Sequence, residues 1–244
     1  MRTTKTAVVT GSTKGIGRAI LLRFLEEGYF VVGNYSSDDS AAKQLLEELS
    51  PEQKQRCTLV KQELSSAKSA DRFTQDILEL VTSIDCLVLN CGTTDYSSFR
   101  DVSAEKWQRV LNVNLTAPFF IVQRLYDTMN SGGGIVFVSS HLAKYPHARS
   151  VSYSVSKSGV NFLAECLVKE FAGKGVRVNS VMPGFTDTQW HEGKEQDHRK
   201  RIEDKIAVGR FGDPAEIARA VYDVITNTYI NGACLDVHGG YDFK

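Results

Sequence analysis

Excess charge of either sign is missing from this 244-residue chain, in which 29 Lys and Arg balance 29 Asp and Glu. That balance leaves no broad electrostatic footprint for a nucleic acid or an anionic membrane, and neither partner is expected. Paired cysteines are missing too. The five present (Cys57, Cys86, Cys91, Cys166, Cys234) are odd in number, lie far apart and never form C-x-x-C. This argues against a disulfide framework or a zinc knuckle, so no metal is expected and a reducing compartment fits best. No apolar run approaches a membrane span, and the start "MRTTKTAVVTG" enters a strand pattern at once, without a signal peptide's apolar core. A cytoplasmic location is the expectation. Linkers of Pro, Gly or Ser, internal repeats and low-complexity tracts are also lacking, so nothing marks a domain boundary.

What is present is an alternation. Short apolar runs ("TAVVT", "YFVVGNY", "CTLVKQ", "DCLVLN", "GIVFVSS", "VRVNSV", "ACLDV") are separated by helical patterns over 15–28, 39–49, 67–82, 103–129, 152–173 and 213–227. Strands of four to seven residues alternating with helices imply βαβ units, hence an α/β fold with a doubly wound parallel sheet of about seven strands. Residues 1–244 are expected to form one domain. The stretch 185–212 breaks the rhythm and is too long for an ordinary strand-to-helix connection, which predicts a substrate lid.

After the first strand comes "TGSTKGIG", with glycines at 11, 15 and 17 where the strand turns into a helix. Glycine permits a tight turn and close backbone approach, and a helix N-terminus binds anions, so this segment predicts a pyrophosphate cradle. Its spacing, G-x-x-x-G-x-G, matches neither G-x-G-x-x-G nor the P-loop. Further along, "SYSVSKSG" sets Tyr153 and Lys157 one helical turn apart on the same face.

Taken together, "TGSTKGIG", "LNCG" (89–92), Asn114 in "NVNL", Ser140, Tyr153 with Lys157, and "PGFTDT" (183–188) resemble, in order and spacing, the short-chain dehydrogenase/reductase family. The resemblance spans essentially the whole chain. It implies a Rossmann-like sheet, a nicotinamide cofactor, hydride transfer between that cofactor and a carbonyl or alcohol, and a homotetramer or homodimer packed through helices 103–129 and 152–173. Apolar Phe162, Leu163, Cys166 and Leu167 exceed what one buried stripe needs.

The catalytic set carried over is Asn114, Ser140, Tyr153 and Lys157. Reducing a ketone needs a proton donor at the developing alkoxide, and a phenol of pKa ~10 is a poor one near neutrality unless tuned. A cation about 4 Å from the phenolate at an effective dielectric of ~20 contributes on the order of 4 kcal/mol, or about three pKa units. Lys157 is therefore expected to draw Tyr153 toward physiological pH. Ser140, thirteen residues before Tyr153, would orient the substrate oxygen, with Ser139 its neighbouring rival. Asn114 is expected either to hold a water chain from Lys157 to solvent or to bridge backbone groups.

The cofactor contacts implied are Gly11, Ser12, Thr13, Lys14, Gly15, Ile16 and Gly17 at the phosphates, then Asn34, Tyr35 and Ser36 after the second strand. Glu63 and Leu64 would lie at the adenine, Asn90, Cys91 and Gly92 beside the adenosine, and Tyr153 with Lys157 at the nicotinamide ribose. Pro183, Gly184, Thr186 and Thr188 would complete the set. Three departures stand out: Leu89 replaces the first Asn of N-N-A-G, Glu63 stands where an Asp is usual, and His238 in "LDVHGG" has no functional account. Cys91 is expected to be small core filler, or else to lie near the cofactor.

An acid at the end of the second strand would bind a ribose 2′-hydroxyl and repel a 2′-phosphate. Here Asn34, Tyr35 and Ser36 occupy that place, acids come only at Asp38 and Asp39, and Lys14 adds a cation. NADP(H) is predicted, with NAD(H) the alternative.

For substrate, the pattern is most like 3-oxoacyl-[acyl-carrier-protein] reductases, whose carrier is acidic. Lys194, His198, Arg199, Lys200 and Arg201 in the lid would suit such a partner. "MNSGGG" (129–134), however, has no basic residue where carrier-docking members commonly show one. The alternative is a free small ketone, quinone or sugar-like intermediate in a pocket shaped by Phe185, Trp190 and His191, with His141 as a wall or second acid. A non-catalytic cofactor-binding sensor is the third reading, disfavoured by the intact Ser140, Tyr153 and Lys157. The expected outcome of parallel steady-state assays is a lower KM for NADPH than for NADH; a preference for NADH would overturn the cofactor assignment.

Overall fold

The protein is described here by a computed structural model covering residues 4–146, 150–193 and 195–243; Lys194 of the expected basic cluster lies outside them. Strands β1 (Thr6–Val9), β2 (Phe30–Tyr35), β3 (Cys57–Lys61), β4 (Ile84–Leu89), β5 (Met129–Val138), β6 (Arg177–Pro183) and β7 (Cys234–Val237) form one sheet in the order β3-β2-β1-β4-β5-β6-β7. Every pairing is parallel. All seven strands coincide with the apolar runs, because a parallel strand covered on both faces needs no polar alternation. β1 and β6 are buried along their whole length, whereas the edge strands β3 and β7 are only partly so.

The pleat divides the strand residues between two cores. Val8, Val32, Leu87, Ile135 and Phe137 point to the face covered by α4 (Ala67–Leu80), α6 (Ala117–Arg124) and α7 (Val151–Ala172). Ala7, Val9, Val31, Val88, Val136 and Val138 point to the face covered by α1 (Gly15–Glu26), α2 (Asp39–Glu48) and α9 (Pro214–Thr226). Alternate residues of each strand thus serve opposite layers, the architecture that the Rossmann-like expectation required.

Three local features differ from the sequence reading. The single helix expected over 103–129 is α5 (Ala104–Leu111), a π-type turn (Asn112–Thr116), and α6, after which β5 already begins at Met129. "MNSGGG" therefore lies in the strand, where the β4–β5 register shifts between Ile84 and Cys86. A short helix α3 (Pro51–Gln55) follows α2, started by a reciprocal Ser50–Gln53 cap with Pro51 in the first turn.

The 185–212 excursion leaves the sheet after β6 and returns to its own base. Thr186 pairs with Gly212, Asp187 N–H donates to Gly212 O (2.8 Å) and Gly212 N–H to Phe185 O (2.9 Å). Between these ends lie a short turn (Gln189–His191) and α8 (Gln196–Glu203). Arg199 fastens it by a two-pronged pair to Asp187 (3.0 and 3.1 Å) and by covering the Phe211 ring (4.3 Å).

Gly33 on β2 shows how closely the sheet supports the glycine turn. A Cβ there would lie 2.4 Å from Ser12 Oγ and 2.7 Å from both Leu21 Cδ1 and Leu59 Cδ2. Gly33→Ala is expected to lower unfolding free energy by about 1–3 kcal/mol, the usual range for overpacking, as read by urea denaturation.

Candidate active site

Strand order reverses between β1 and β4, so the helices that follow them pass to opposite faces and a crevice opens at the strands' C-terminal ends. The glycine turn and "LNCG" meet there. Thr10 Oγ1 accepts from both Asn90 N (2.9 Å) and Cys91 N (3.0 Å), and Asn90 Nδ2 donates to Thr10 O and Gly11 O (3.1 Å each). Gly11 and Gly15 have φ of +63° and +50°, which a side chain would resist. A Cβ on Gly17 would lie 2.0 Å from Gly11 O, so only glycine permits the turn to fold onto α1. Lys14 occupies the N-cap of α1 without a side-chain hydrogen bond to the helix's own amides, and no acid occupies the first turn. The free amides and positive end of the helix fit an anionic diphosphate. Thr188 stands beside this turn, its Cγ2 3.2 Å from where a Gly15 Cβ would be.

At the end of β2, Asn34 is buried and fully engaged by protein. Its Oδ1 accepts from Gly11 N (3.3 Å) and its Nδ2 donates to Gln62 O (2.9 Å) and Val60 O (3.3 Å). Its side chain shapes the turn instead of facing outward; Ser36 is exposed and Tyr35 half-buried. Both nearby acids are matched by cations. Asp38 caps α2 and pairs with Lys14, and Asp39 pairs with Lys61 (2.6 Å) while accepting from Tyr35 (3.0 Å). These hydrogen bonds hold both carboxyls below the ordinary range. Leu64 is buried in the core and Glu63 is exposed. Cys91 packs against the core, and burial raises its thiol pKa against the opposing pull of Lys157.

The Ser, Tyr and Lys candidates converge where β5 ends. Ser139 Oγ donates to Lys157 O (3.1 Å), whereas Ser140 hydrogen-bonds the Tyr153 phenol and accepts from Leu142 N (3.2 Å). Ser140, not Ser139, thus faces the phenol. Lys157 is buried and donates to Val138 O (2.7 Å), with its ammonium 5.7 Å from the centre of the Tyr153 ring. A Cβ on Gly92 would lie 3.5 Å from Asn114 Oδ1 and 3.6 Å from Lys157 Nζ, so these three residues surround one point.

Asn114 sits in the π-type turn, a feature that recurs at functional sites. Its Oδ1 accepts from Thr93 N (2.8 Å), and its Nδ2 donates to Thr93 O (2.9 Å) and Ser156 Oγ (2.9 Å). Ser156 Oγ in turn donates to Tyr153 O (2.7 Å). The carboxamide bridges protein groups with both its protons, one to the Thr93 backbone and one to the Ser156 hydroxyl. It fixes the loop after β4 to the first turns of α7.

The expected tuning of Tyr153 is corrected by this geometry. Its pKa is pushed up to about 12, mainly because the hydroxyl end is desolvated, with the Ser140 hydrogen bond opposing and Tyr96 adding to the rise. Lys157 donates to Val138 O and lies 5.7 Å from the centre of the ring, and desolvation lowers its own pKa to about 8. Burial outweighs attraction for both groups. At neutral pH the phenol keeps its proton.

Of the pocket candidates, Ser140 and Trp190 lie at Tyr153, the indole 6.2 Å from the phenol ring. The others form a wall behind. His141 Nδ1 is 3.2 Å from Pro183 O, its ring 5.4 Å from Phe185 and from Tyr241, and Phe185 in turn meets His191 (5.4 Å) and Phe211 (5.6 Å). Thr186 Oγ1 donates to Gly184 O (3.2 Å), inside the excursion's base. His238, unexplained by sequence, accepts at Nδ1 from Gly240 N (3.2 Å) and Tyr241 N (3.3 Å), capping the last turn as a carboxylate would. A Gly184 Cβ would collide with it at 2.6 Å. Sequence reasoning missed Thr93, Ser156, Val138 and Tyr96, of which only Ser156, within "SYSVSKSG", carried any local signal.

The strand order and the polar site at its switch point define a doubly wound α/β protein of dinucleotide-site type. The chain belongs to the short chain dehydrogenase family, whose model matches residues 5–199. It is 35% identical to glucose 1-dehydrogenase 2 of Bacillus subtilis (strain 168), over 98% of this chain and 95% of that protein. Identity to the 3-oxoacyl-[acyl-carrier-protein] reductase FabG of Aquifex aeolicus (strain VF5) is 34%, covering 97% of this chain and 96% of that one. Among solved structures, the angucycline C-6 ketoreductase LanV with bound NADP superposes with a TM-score of 0.89 at 31% identity, covering 97% and 95% of the two chains. Among the described residues, no helix is long and apolar enough to cross a membrane.

Lys157 provides a direct check. Because desolvation favours the neutral amine, its proton leaves at lower pH than from exposed lysines. Nitrogen-detected NMR is expected to show a Lys157 Nζ midpoint about pH 8, with exposed lysines near the ordinary value of about 10.4.

Proposed function

We propose that this chain is an NADP(H)-dependent oxidoreductase that reduces a ketone to a secondary alcohol, with Tyr153 as the proton donor. The observation that carries this reading is the meeting of Ser140, Tyr153 and Lys157 at the end of β5, beside the glycine cradle. Residues 11–17 would hold the pyrophosphate and Asn90 and Gly92 the adenosine side, with Pro183, Gly184, Thr186 and Thr188 lining the path to the nicotinamide. Tyr35, Ser36 and Lys14 would meet a 2′-phosphate; NADP bound to LanV and the neutralisation of Asp38 and Asp39 support that choice. The bound cofactor supplies the hydride.

The chain's own residues manage the proton. Ser140 orients the carbonyl oxygen against the phenol, and Tyr153 gives up its O–H proton as the C–O π bond opens. A raised pKa keeps that proton in place at neutral pH, and the developing alkoxide is a far stronger base than a phenolate, so transfer remains downhill. Lys157, still charged below about pH 8, stabilises the phenolate left behind. Asn114 acts as a positioning residue through Thr93 and Ser156.

Two substrate readings follow. Similarity to FabG supports an oxoacyl chain on a carrier protein. Against docking of an acidic carrier, three of the described lid cations are already engaged: Arg199 with Asp187 and Glu203, Lys200 with Asp204 (3.1 Å), and Arg201 with the carbonyl of Asp197 (3.2 Å). A free ketone is favoured on that ground. Association of copies is supported by an exposed stripe on α7, where Val155, Phe162 and Cys166 recur at helical spacing.

Tyr153→Phe keeps the ring and removes the donor. NADPH oxidation with ketones is expected to fall by about 10²–10⁴-fold at unchanged thermal stability, and near-normal turnover would overturn the mechanism.

A further inference from the structure

Tyr96, which adds to the raised pKa of Tyr153, is also joined to the lid beside the phenol. Trp190 Nε1 donates to Tyr96 Oη at 2.8 Å across a sequence separation of 94 residues. Tyr96 belongs to the loop after β4 and Trp190 to the excursion after β6, while β5, which ends at Val138 two residues before Ser140, lies between those strands. The bond therefore spans the ends of three neighbouring strands, roughly 10 Å at ordinary sheet spacing. Beneath it stand Ser140 and Tyr153, with the indole tilted 49° to the phenol ring. Both bridging rings are substantially exposed (61% for Tyr96, 46% for Trp190), so their faces are open to a ligand.

The bridge carries no charge, and two charges near it are paired with other groups. Asp95, next to Tyr96, is committed to Ser97 (3.0 Å) and Lys106 (3.6 Å), and Arg199 is held by Asp187 over Phe211. Two rings pinned at one polar seam offer flat apolar faces at little conformational cost, which suits a planar ring more than a flexible chain. A chain tethered to a carrier has to run outward past the bridge, whereas a ring ends beneath it.

The geometry points to Tyr96 and Trp190 as a specificity-determining pair that spans the cleft above Tyr153 and selects a compact, uncharged cyclic ketone over an extended acyl thioester. This rests on the ketone-reductase reading above and narrows it to a substrate class. Asn114 contributes indirectly, because its grip on Thr93 fixes the loop that carries Tyr96.

The test compares 1-tetralone, a flat bicyclic ketone, with acetoacetyl-N-acetylcysteamine, an extended thioester, both assayed with NADPH. Wild type is expected to favour tetralone by about tenfold or more in kcat/KM, within the discrimination a shaped apolar pocket supplies. Tyr96→Phe, which deletes only the hydroxyl that accepts from the indole, is expected to cut that ratio about fivefold, mainly through a higher KM for tetralone. Trp190→Ala is expected to abolish the preference. An unchanged ratio in both variants, or a wild-type preference for the thioester, would overturn the pair's role. Binding is read separately: the chain has two tryptophans, so Trp107→Phe leaves Trp190 as sole reporter. Saturable quenching by tetralone, weakened in Tyr96→Phe, supports the pair even if no ketone is turned over, an outcome that would sink the reductase reading alone. Turnover of both substrates with no quenching would sink the pair and spare the reductase.

Discussion

Reversal of strand order between β1 and β4 is the constraint on which this molecule is arranged. Two adjacent parallel strands send their chains to opposite faces, which opens a crevice at their ends. The protein stabilises that gap with a small set of polar contacts in which Thr10 is central, its hydroxyl taking two amides of the "LNCG" segment. The glycines are there because the backbone must pass close to itself, as the approach of Gly17 to Gly11 makes plain. From this fixed edge the rest of the site is laid out in strand order: cradle at β1, Asn90 to Gly92 at β4, Ser140 at β5, Pro183 onward at β6.

Burial governs the chemistry more than pairing does. A phenol and an ammonium one helical turn apart invite an account based on mutual attraction, yet both are shifted toward their neutral forms because both are desolvated. The ammonium is held by a backbone carbonyl at the end of β5, which sets its position independently of the phenol's charge.

The sheet was legible because each strand is a short apolar run, a requirement local enough to be written in consecutive residues. The glycine turn showed itself through residue types at fixed offsets, and Ser140, Tyr153 and Lys157, singled out by the family resemblance, do meet at one place. What escaped depends on groups distant in sequence. The meeting of Tyr96 with Trp190, the grip of Asn114 on Thr93 and the capping by His238 are set by which loops the sheet places side by side. The direction of the Tyr153 shift escaped as well, since desolvation sums over everything packed around the hydroxyl. The π-type turn at Asn112–Thr116 adds one residue to a helical repeat, and the sequence there has no glycine or other marker of it.

The closed base of the 185–212 excursion has a consequence for how such a protein changes over generations. Because Thr186 and Gly212 pair and their neighbours exchange backbone hydrogen bonds, the sheet registers only that the two ends meet, whatever lies between them. Insertions, deletions and wholesale replacement of the intervening residues leave β6 and α9 where they are. The segment behaves as an interchangeable cassette, free to vary while the cluster of Ser140, Tyr153 and Lys157 beside β5 and on α7 stays where the sheet puts it.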